Sequence, residues 1–289
     1  MAKDALGYVG LGTMGAAIVA NMVAGGLGVH VYDSAGTVER APEGAVPAGS
    51  IEDIARACDV VFVCVPDGAA SLDVANTVAA ADGRRVRALI NMSTTGVEAA
   101  DAIAAALDGS GVEFIDAPVS GGRAGAVAGT ITVMWSGSEA LLGELKPALE
   151  TCSKSQFFVG PRPGQGQALK LLNNFLSATA MSATSEAMIF GQAHGLDMTT
   201  MLDAVNVSTG RNTATSDKFP NRIVTGTYDA GFRMALMAKD VALYLNEVRA
   251  AGTPDGLGSV VADYYRDGLA AFPDGDFTEI FKTIGDDEG

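Results

Sequence analysis

For about 160 residues this chain alternates between two hydrophobic periods, and then the alternation stops. Short β-branched runs fall at 6–10 (LGYVG), 28–33 (GVHVYD), 59–65 (DVVFVCV), 86–91 (VRALIN), 112–116 (VEFID) and 130–135 (TITVMW). Between most of them lie Ala-rich stretches of helical character, at 14–24, 69–81, 97–107 and 138–149. Strands separated by helices cannot close as hairpins, so the pattern predicts a parallel sheet covered on both faces. Its crossovers are expected to be right-handed.

Past VGPRPGQGQ the spacing turns helical, over 168–194, 198–207, 234–250, 257–271 and 276–284. Asp197 can N-cap the second of these helices, and Gly195 can close the first. The Pro/Gly-rich stretch 160–166 is the natural boundary, giving domains 1–163 and 164–289. The 168–194 segment is long and apolar, but Lys170, Asn173, Asn174 and Glu186 make a membrane span costly. A long helix packed at a domain interface is the better expectation. The closing GDDE run is expected to fray.

Composition excludes several classes of partner. The chain has 289 residues, with 34 acidic against 19 basic side chains and a formal net charge of −15. That charge gives no footprint for nucleic acid or an anionic membrane. No window reaches 18 apolar residues, and MAKDALGYVG lacks the apolar core of a signal peptide. Cys58, Cys64 and Cys152 form no C-x-x-C pair, so neither a disulfide framework nor a zinc site is expected. Cys64, inside VVFVCV, reads as a buried small hydrophobe. His30 and His194 are too few for a histidine metal cluster or triad. A cytoplasmic protein without a metal is the expectation. Any anion it handles must be attracted locally, against the overall field.

The first strand runs into Gly10-Leu11-Gly12-Thr13-Met14-Gly15, a G-x-G-x-x-G that opens an Ala/Met helix. In that setting the string is the dinucleotide fingerprint of a Rossmann-type domain. Gly10 permits the tight turn, Gly12 lets backbone approach a pyrophosphate, and Gly15 allows close helix–strand packing. The helix N-terminus offers amides and a positive dipole end. Asp33, at the end of the second strand, can accept from both ribose hydroxyls of NAD. It would repel the 2′-phosphate of NADP, and the first arginine after it is Arg40, so NAD is favoured over NADP. Asp33 could also be a solvated strand-end residue. Val65-Pro66 and Ser93-Thr94 end the third and fourth strands at the ligand-binding edge. Ser93 and Thr94 can donate to ribose or phosphate, or simply cap the helix at 97–107.

Strand five leads into Asp116-Ala117-Pro118-Val119-Ser120-Gly121-Gly122. Ser120, Gly121 and Gly122 present a hydroxyl and bare amides suited to a carboxylate, though the same string could be a turn. Lys170 and Asn174 are i, i+4 on the long helix and share a face. Among Leu169, Leu171 and Leu172 the lysine risks burial, which lowers a lysine pKa toward the range of a working proton donor. A snorkelling lysine is the alternative.

Four ordered motifs carry a resemblance over the whole chain: GYVGLGTMG at 7–15, DAPVSGG at 116–122, GQGQALKLLNN at 164–174 and GFRMALMAKD at 231–240. Together they resemble the β-hydroxyacid dehydrogenase family, which includes 3-hydroxyisobutyrate dehydrogenase. The stretch VSTGRNTATSDKFP is similar to that branch. The resemblance implies an α/β Rossmann domain, a long interdomain helix and an all-α domain that assembles homodimers or homotetramers. It implies Lys170 as catalytic acid/base, Ser120, Gly121 and Gly122 on the substrate carboxylate, and Asn174 orienting the reacting oxygen. Lys239 would reach the nicotinamide end, with Asp240 and Phe232 shaping that wall. Imine reductases of the same fold lack the lysine. Asn91 and Thr95-Gly96 depart from the usual family residues.

The expected activity is hydride transfer between NAD and a short β-hydroxy acid such as 3-hydroxyisobutyrate. The alternative is a reductase of tartronate semialdehyde, succinic semialdehyde or sulfolactaldehyde, with Arg123 or Arg211 as the added donor. A non-catalytic NAD-binding protein is a third class, signalled by loss of Lys170 or a basic tail. Neither sign is present.

Overall fold

The computed structural model describes residues 5–286. By their contacts the residues divide into two compact units, one up to Lys170 and one from Leu171 on.

The first unit is built on nine strands: β1 (Leu6–Val9), β2 (Val29–Tyr32), β3 (Val46–Pro47), β4 (Val60–Val63), β5 (Ala88–Asn91), β6 (Glu113–Asp116), β7 (Val119–Ser120), β8 (Ile131–Ser136) and β9 (Ser153–Gly160). Its helices are α1 (Thr13–Ala24), α2 (Thr37–Arg40), α3 (Ile51–Ala57), α4 (Gly68–Ala80), α5 (Val97–Leu107), α6 (Gly122–Val127) and α7 (Glu139–Leu149). The strand order is β3-β2-β1-β4-β5-β6-β8-β7, with β9 also paired to β8. Pairing is parallel from β3 through β6, and β8 runs antiparallel to β6 and β7. The order reverses direction at β1, so the connections that leave the carboxyl ends of β1 and β4 run to opposite sides, the switch point at which open α/β sheets bind ligands.

The β-branched runs form these strands because each is covered on both sides. Leu6 and Tyr8 of β1 belong to one apolar layer with Ile18, Val19 and Met22 of α1. Val9 joins the opposite layer with Ile54 of α3 and Val74 of α4. Alternate residues thus bury on opposite faces, as a period of two requires. Cys64 corrects its expectation: it is half-buried, because it sits one residue past the end of β4, outside the covered ladder.

The second unit holds most of α8 (Gln165–Ala193), then α9 (Met198–Asn206), a π-helical stretch (Ala214–Ile223), α10 (Met234–Ala250), α11 (Gly256–Ala271), a 3₁₀ turn (Phe277–Glu279) and α12 (Ile280–Asp286). One apolar cluster holds it together, including Met181, Leu202, Phe219, Met237 and Tyr265. Asp197 caps α9, accepting from Thr200 N–H at 2.9 Å. Gly195, at φ +79°, closes α8: its N–H donates to Gln192 O and the Leu196 N–H donates to Gly191 O, which is a Schellman ending. The last part of GDDE, from Asp287, lies outside the described residues.

Candidate active site

β1 delivers the chain into the Gly-rich loop, and each glycine there answers to a different contact. Gly10 has φ +100°, and a Cβ on it would stand 2.2 Å from the Cys64 carbonyl oxygen. A Cβ on Gly15 would stand 2.0 Å from the Gly10 carbonyl oxygen, so α1 can lie against the loop only through a glycine. Gly12 faces open space, with nothing within 4 Å of the position a Cβ would take. Gly12 is also the N-cap of α1; no side chain caps the helix and no acidic residue occupies its first turn. Exposed Thr13 and half-buried Met14 begin the helix. An uncapped helix start beside an open glycine fits the pyrophosphate of a dinucleotide.

Asp33 is clipped to this loop. Leu11 N–H donates to its Oδ2 at 2.6 Å, and Ala35 N–H donates to its Oδ1 at 2.8 Å. Its side chain is 10% exposed, and Arg40 Nη1 lies 3.9 Å from Oδ1. Arg40 is therefore close in space to a residue it follows at some distance in sequence. Arg40 also lines an open groove of about 460 Å³ with Leu11, Gly12, Thr13, Ala16 and Arg123. Arg123, considered above as a substrate donor, thus lies beside the Gly-rich loop.

Val65 and Pro66 follow β4, half-buried and exposed respectively. Val65 N–H donates to Ser93 Oγ at 2.9 Å, so the buried Ser93 hydroxyl braces one strand end against the next. Thr94 is half-buried. Neither caps α5, whose N-cap is Gly96 without a side-chain bond. Ser120, half-buried on β7, precedes Gly121 at φ +133° and Gly122 at φ +61°.

The start of α8 is sewn to the ends of these strands. Asp116 at the end of β6 is fully buried and accepts from the Gln167 backbone N–H at 3.0 Å and from Ser136 Oγ at 3.3 Å. Gln167 Nε2 donates to Asp116 Oδ1 and, at 3.0 Å, to the Ser93 carbonyl. Gln167 Oε1 accepts from Thr95 N–H at 2.8 Å and Gly96 N–H at 3.2 Å. Burial pushes the Asp116 carboxyl up to about 6, against the donors from Gln167, Ser136 and Gly164 that favour its ionised form. One turn further on, Lys170 is 7% exposed.

In the second unit, α8 and α10 bring three expected residues together. Asn174 Nδ2 donates to Asp240 Oδ2 at 2.6 Å, and Lys239 Nζ lies 3.1 Å from Asp240 Oδ1. Asn173 Nδ2 donates to Asn174 Oδ1 at 3.1 Å. Asp240 and Asn174 are both buried, so the carboxylate fixes which way the amide points. Phe232, in the loop before α10, lies edge-on to Phe277 at 6.1 Å between centroids. Arg211 is exposed in the loop after α9 and does not join the Asn174 cluster.

A family model described as the NAD binding domain of 6-phosphogluconate dehydrogenase matches residues 5–160. A second, described as NAD-binding of NADP-dependent 3-hydroxyisobutyrate dehydrogenase, matches residues 164–284. The NAD-dependent L-serine dehydrogenase of Pseudomonas aeruginosa is 33% identical over 98% of this chain and 99% of its own. The 2-(hydroxymethyl)glutarate dehydrogenase of Eubacterium barkeri is 30% identical over 92% of this chain and 89% of its own. The structure of Mycobacterium tuberculosis 3-hydroxyisobutyrate dehydrogenase with L-serine superposes with a TM-score of 0.90. It is 31% identical and covers 97% of this chain and 99% of that one. This chain belongs to the β-hydroxyacid dehydrogenase family.

As a member it is an NAD(P)-binding hydroxyacid oxidoreductase, with a Rossmann-type first unit and a helical second unit. No helix among its described residues is long and apolar enough to cross a membrane. Two polar residues of this dehydrogenase went unassigned in the sequence, Asp116 and Gln167. Both lie inside strings that carried the family resemblance. The signal that could have found Gln167 is a carboxamide in the first turn, three residues before Lys170 and next to the apolar Ala168-Leu169, a group that must be satisfied if it is buried.

Proposed function

We propose that this dehydrogenase oxidises a short β-hydroxy acid such as 3-hydroxyisobutyrate, using NAD in preference to NADP and Lys170 as general acid/base. The observation that carries this is the burial of Lys170, 7% exposed, one turn beyond a helix start bonded to the cofactor-side loop. Lysine is among the side chains least often buried, and there it suits proton transfer more than solubility.

The cofactor, when bound, supplies a hydride acceptor at C4 of its nicotinamide. Lys170 Nζ, as the free amine, takes the hydroxyl proton as the carbinol C–H bond breaks. In the reverse direction its ammonium returns that proton to the carbonyl oxygen. Ser120, Gly121 and Gly122 would hold the substrate carboxylate with one hydroxyl and backbone amides. Asn174, its amide held by Asp240, would orient the reacting oxygen. Lys239, Asp240 and Phe232 would line the nicotinamide end. The loop Gly10–Gly15 would take the pyrophosphate, with Asp33 on the ribose and Val65, Pro66, Ser93 and Thr94 along the crevice. Fixing carboxylate, oxygen and cofactor at once supplies much of the rate.

The substrates named for the relatives share one frame, HO–CH₂–CH(R)–COO⁻, where R is methyl, ammonium or carboxyethyl. The shared part is what a carboxylate site and a lysine need; R is where this enzyme's own preference lies. Exposed Arg211 would meet an acidic R group. For NAD over NADP, the support is Asp33, held in place beside the loop by two backbone N–H groups.

Residues 1–163 would form the cofactor domain and 164–289 the substrate and oligomerisation domain. A homodimer or homotetramer is favoured by the exposed Leu172, Leu176 and Phe190 of α8. Three free cysteines suit the reducing cytoplasm.

The test is NADH formation from 3-hydroxyisobutyrate, L-serine, D- and L-glycerate, threonate, 4-hydroxybutyrate and sulfonate analogues, repeated with NADP. Acids with the shared frame should lead the panel. Lys170→Ala should bind NADH normally and lose about 10²–10⁴-fold in turnover. Retained turnover in that variant, or a preference for 4-hydroxybutyrate, overturns the proposal.

A further inference from the structure

Gln167 is a fully buried carboxamide with every hydrogen-bonding position used. Its oxygen has two acceptor sites and its nitrogen two donor hydrogens. The oxygen takes Thr95 N–H and Gly96 N–H, at 2.8 and 3.2 Å. The nitrogen gives one hydrogen to the Ser93 carbonyl at 3.0 Å and one to Asp116 Oδ1. Its backbone N–H reaches the other Asp116 oxygen at 3.0 Å. The amide cannot be flipped without turning two donors on two donors, so its orientation is fixed by its surroundings.

These partners belong to two different parts of the candidate site. Ser93 to Gly96 is the loop that ends β5. Asp116 ends β6 and precedes Ser120, Gly121 and Gly122 by four to six residues. Gln167 itself sits one turn before Lys170 on α8.

We propose that Gln167 is the positioning residue of this enzyme, which holds Lys170 in register with the cofactor-side loop and with the strand that leads to the carboxylate-binding segment. It touches neither substrate nor cofactor. It acts through Lys170, and this rests on the role proposed for Lys170 above. A helix start tied to the loop at 93–96 and to Asp116 through one side chain cannot shift along its axis without breaking four bonds together.

Gln167→Ala is expected to lower kcat by about 10- to 100-fold, the range that a displacement of about 1 Å costs. The Kd for NADH, measured by fluorescence without turnover, should change by less than about threefold, because the Gly-rich loop and Asp33 are untouched. Ser136→Ala is the matched structural control. It removes bonds at the same helix start, from Gly166 N–H at 3.1 Å and to Asp116 at 3.3 Å, while leaving the loop at 93–96 tied. It should lower the melting temperature and leave kcat within about threefold.

Gln167→Glu keeps the acceptors for Thr95 and Gly96, loses the donors, and serves if the alanine variant does not fold. The titratable group bonded to that position is Asp116 on β6, and Lys170 follows one turn on along the same helix; its other partners are Ser93, Thr95 and Gly96 of the loop, and Ser136 of β8 bonds Asp116. A proton shared between the new carboxyl and Asp116 restores one lost link. Its kcat deficit relative to wild type should therefore narrow as pH falls.

Equal kcat losses in the Ser136 and Gln167 variants, in step with melting temperature, would reduce Gln167 to a structural residue. So would a Gln167→Glu deficit that is flat with pH. If Lys170→Ala itself keeps its turnover, the general acid/base assignment fails. If Lys170→Ala is dead and the Gln167 variants keep wild-type kcat, only the positioning role fails.

Discussion

Replacing Asp33 by alanine separates the carboxylate's bond to the Gly-rich loop from the ribose contact proposed for it. In the free protein it satisfies Leu11 N–H at 2.6 Å, and Leu11 is 3% exposed. Left without an acceptor, a buried N–H costs about 1–3 kcal/mol; the exposed Ala35 N–H recovers its bond from water. Asp33→Ala should therefore melt several degrees lower. The effect on cofactor choice is larger. NAD loses charge-assisted bonds to its ribose hydroxyls, worth about 1.5–3 kcal/mol. NADP loses a like-charge contact near 4 Å, worth about 1–4 kcal/mol between surface and bulk-water screening. Arg40, 3.9 Å from the carboxylate in the wild type, keeps its positive charge beside the vacated position. The two effects act in the same direction on the ratio of kcat/KM for NAD to that for NADP. A swing of about 10²–10⁵-fold toward NADP follows, at about 1.4 kcal/mol per decade. Steady-state kinetics with both cofactors, NADH titration by fluorescence and a thermal melt on the same preparation measure all of it. A ratio that moves less than about threefold refutes the ribose assignment; an unchanged melting temperature refutes the clip on the loop.

The glycines of the loop should separate in the same assays. Gly15→Ala places a Cβ 2.0 Å from the Gly10 carbonyl oxygen and should lower both melting temperature and NADH affinity, whereas Gly12→Ala, with open space around it, should lower affinity alone. Asp116 should leave a pH signature: its carboxyl stands at about 6 in the fold against 3.8 as its ordinary value. The fold then holds that proton more tightly than the unfolded chain does. The group's contribution to stability is complete below about pH 4 and is lost as pH rises through 6, by on the order of 3 kcal/mol. Urea titrations of Asp116→Asn and wild type should show the gap moving in favour of the variant between pH 4 and 6 and constant above 7; an opposite slope refutes it. Asp276→Ala removes a capping box and the acceptor for Gly231 and Phe232 N–H. It should cost about 1–2 kcal/mol in the same titration.

Long elements were legible in the sequence, and short ones were not. α1, α5 and α10 lie within a residue of the expected ranges because each is a long run rich in alanine, which favours helix. β3 and β7 are two residues each, too short to carry any period. Among the described residues β9 pairs only with β8, and its residues do not alternate in burial, so nothing in SKSQFFVG marks a strand. The π-helical turn around Phe219 is held by its contacts with other helices of its unit. In the candidate site, the turn of the Gly-rich loop and the place of Asp33 at the end of β2 were legible because both follow from local spacing. Arg40 was not, since the loop after β2 folds it back onto Asp33. Gln167 and Asp116 lie inside motifs whose spacing gives them no role, because what Gln167 does depends on partners 51 to 74 residues away.

The bonds at the start of α8 also decide where this enzyme can be cut and spliced. The Pro/Gly stretch at 160–166 looks like a seam, and a chimera built there would take its first half from one relative and Gln167 from another. That leaves a buried carboxylate and two loop N–H groups to be satisfied by a helix that did not evolve with them. A crossover placed after Lys170, where the first compact unit ends, keeps the amide with the strands it fastens. In families that diversify by exchanging halves, heritable modules need not end where the chain is loosest; here the better breakpoint lies inside a helix.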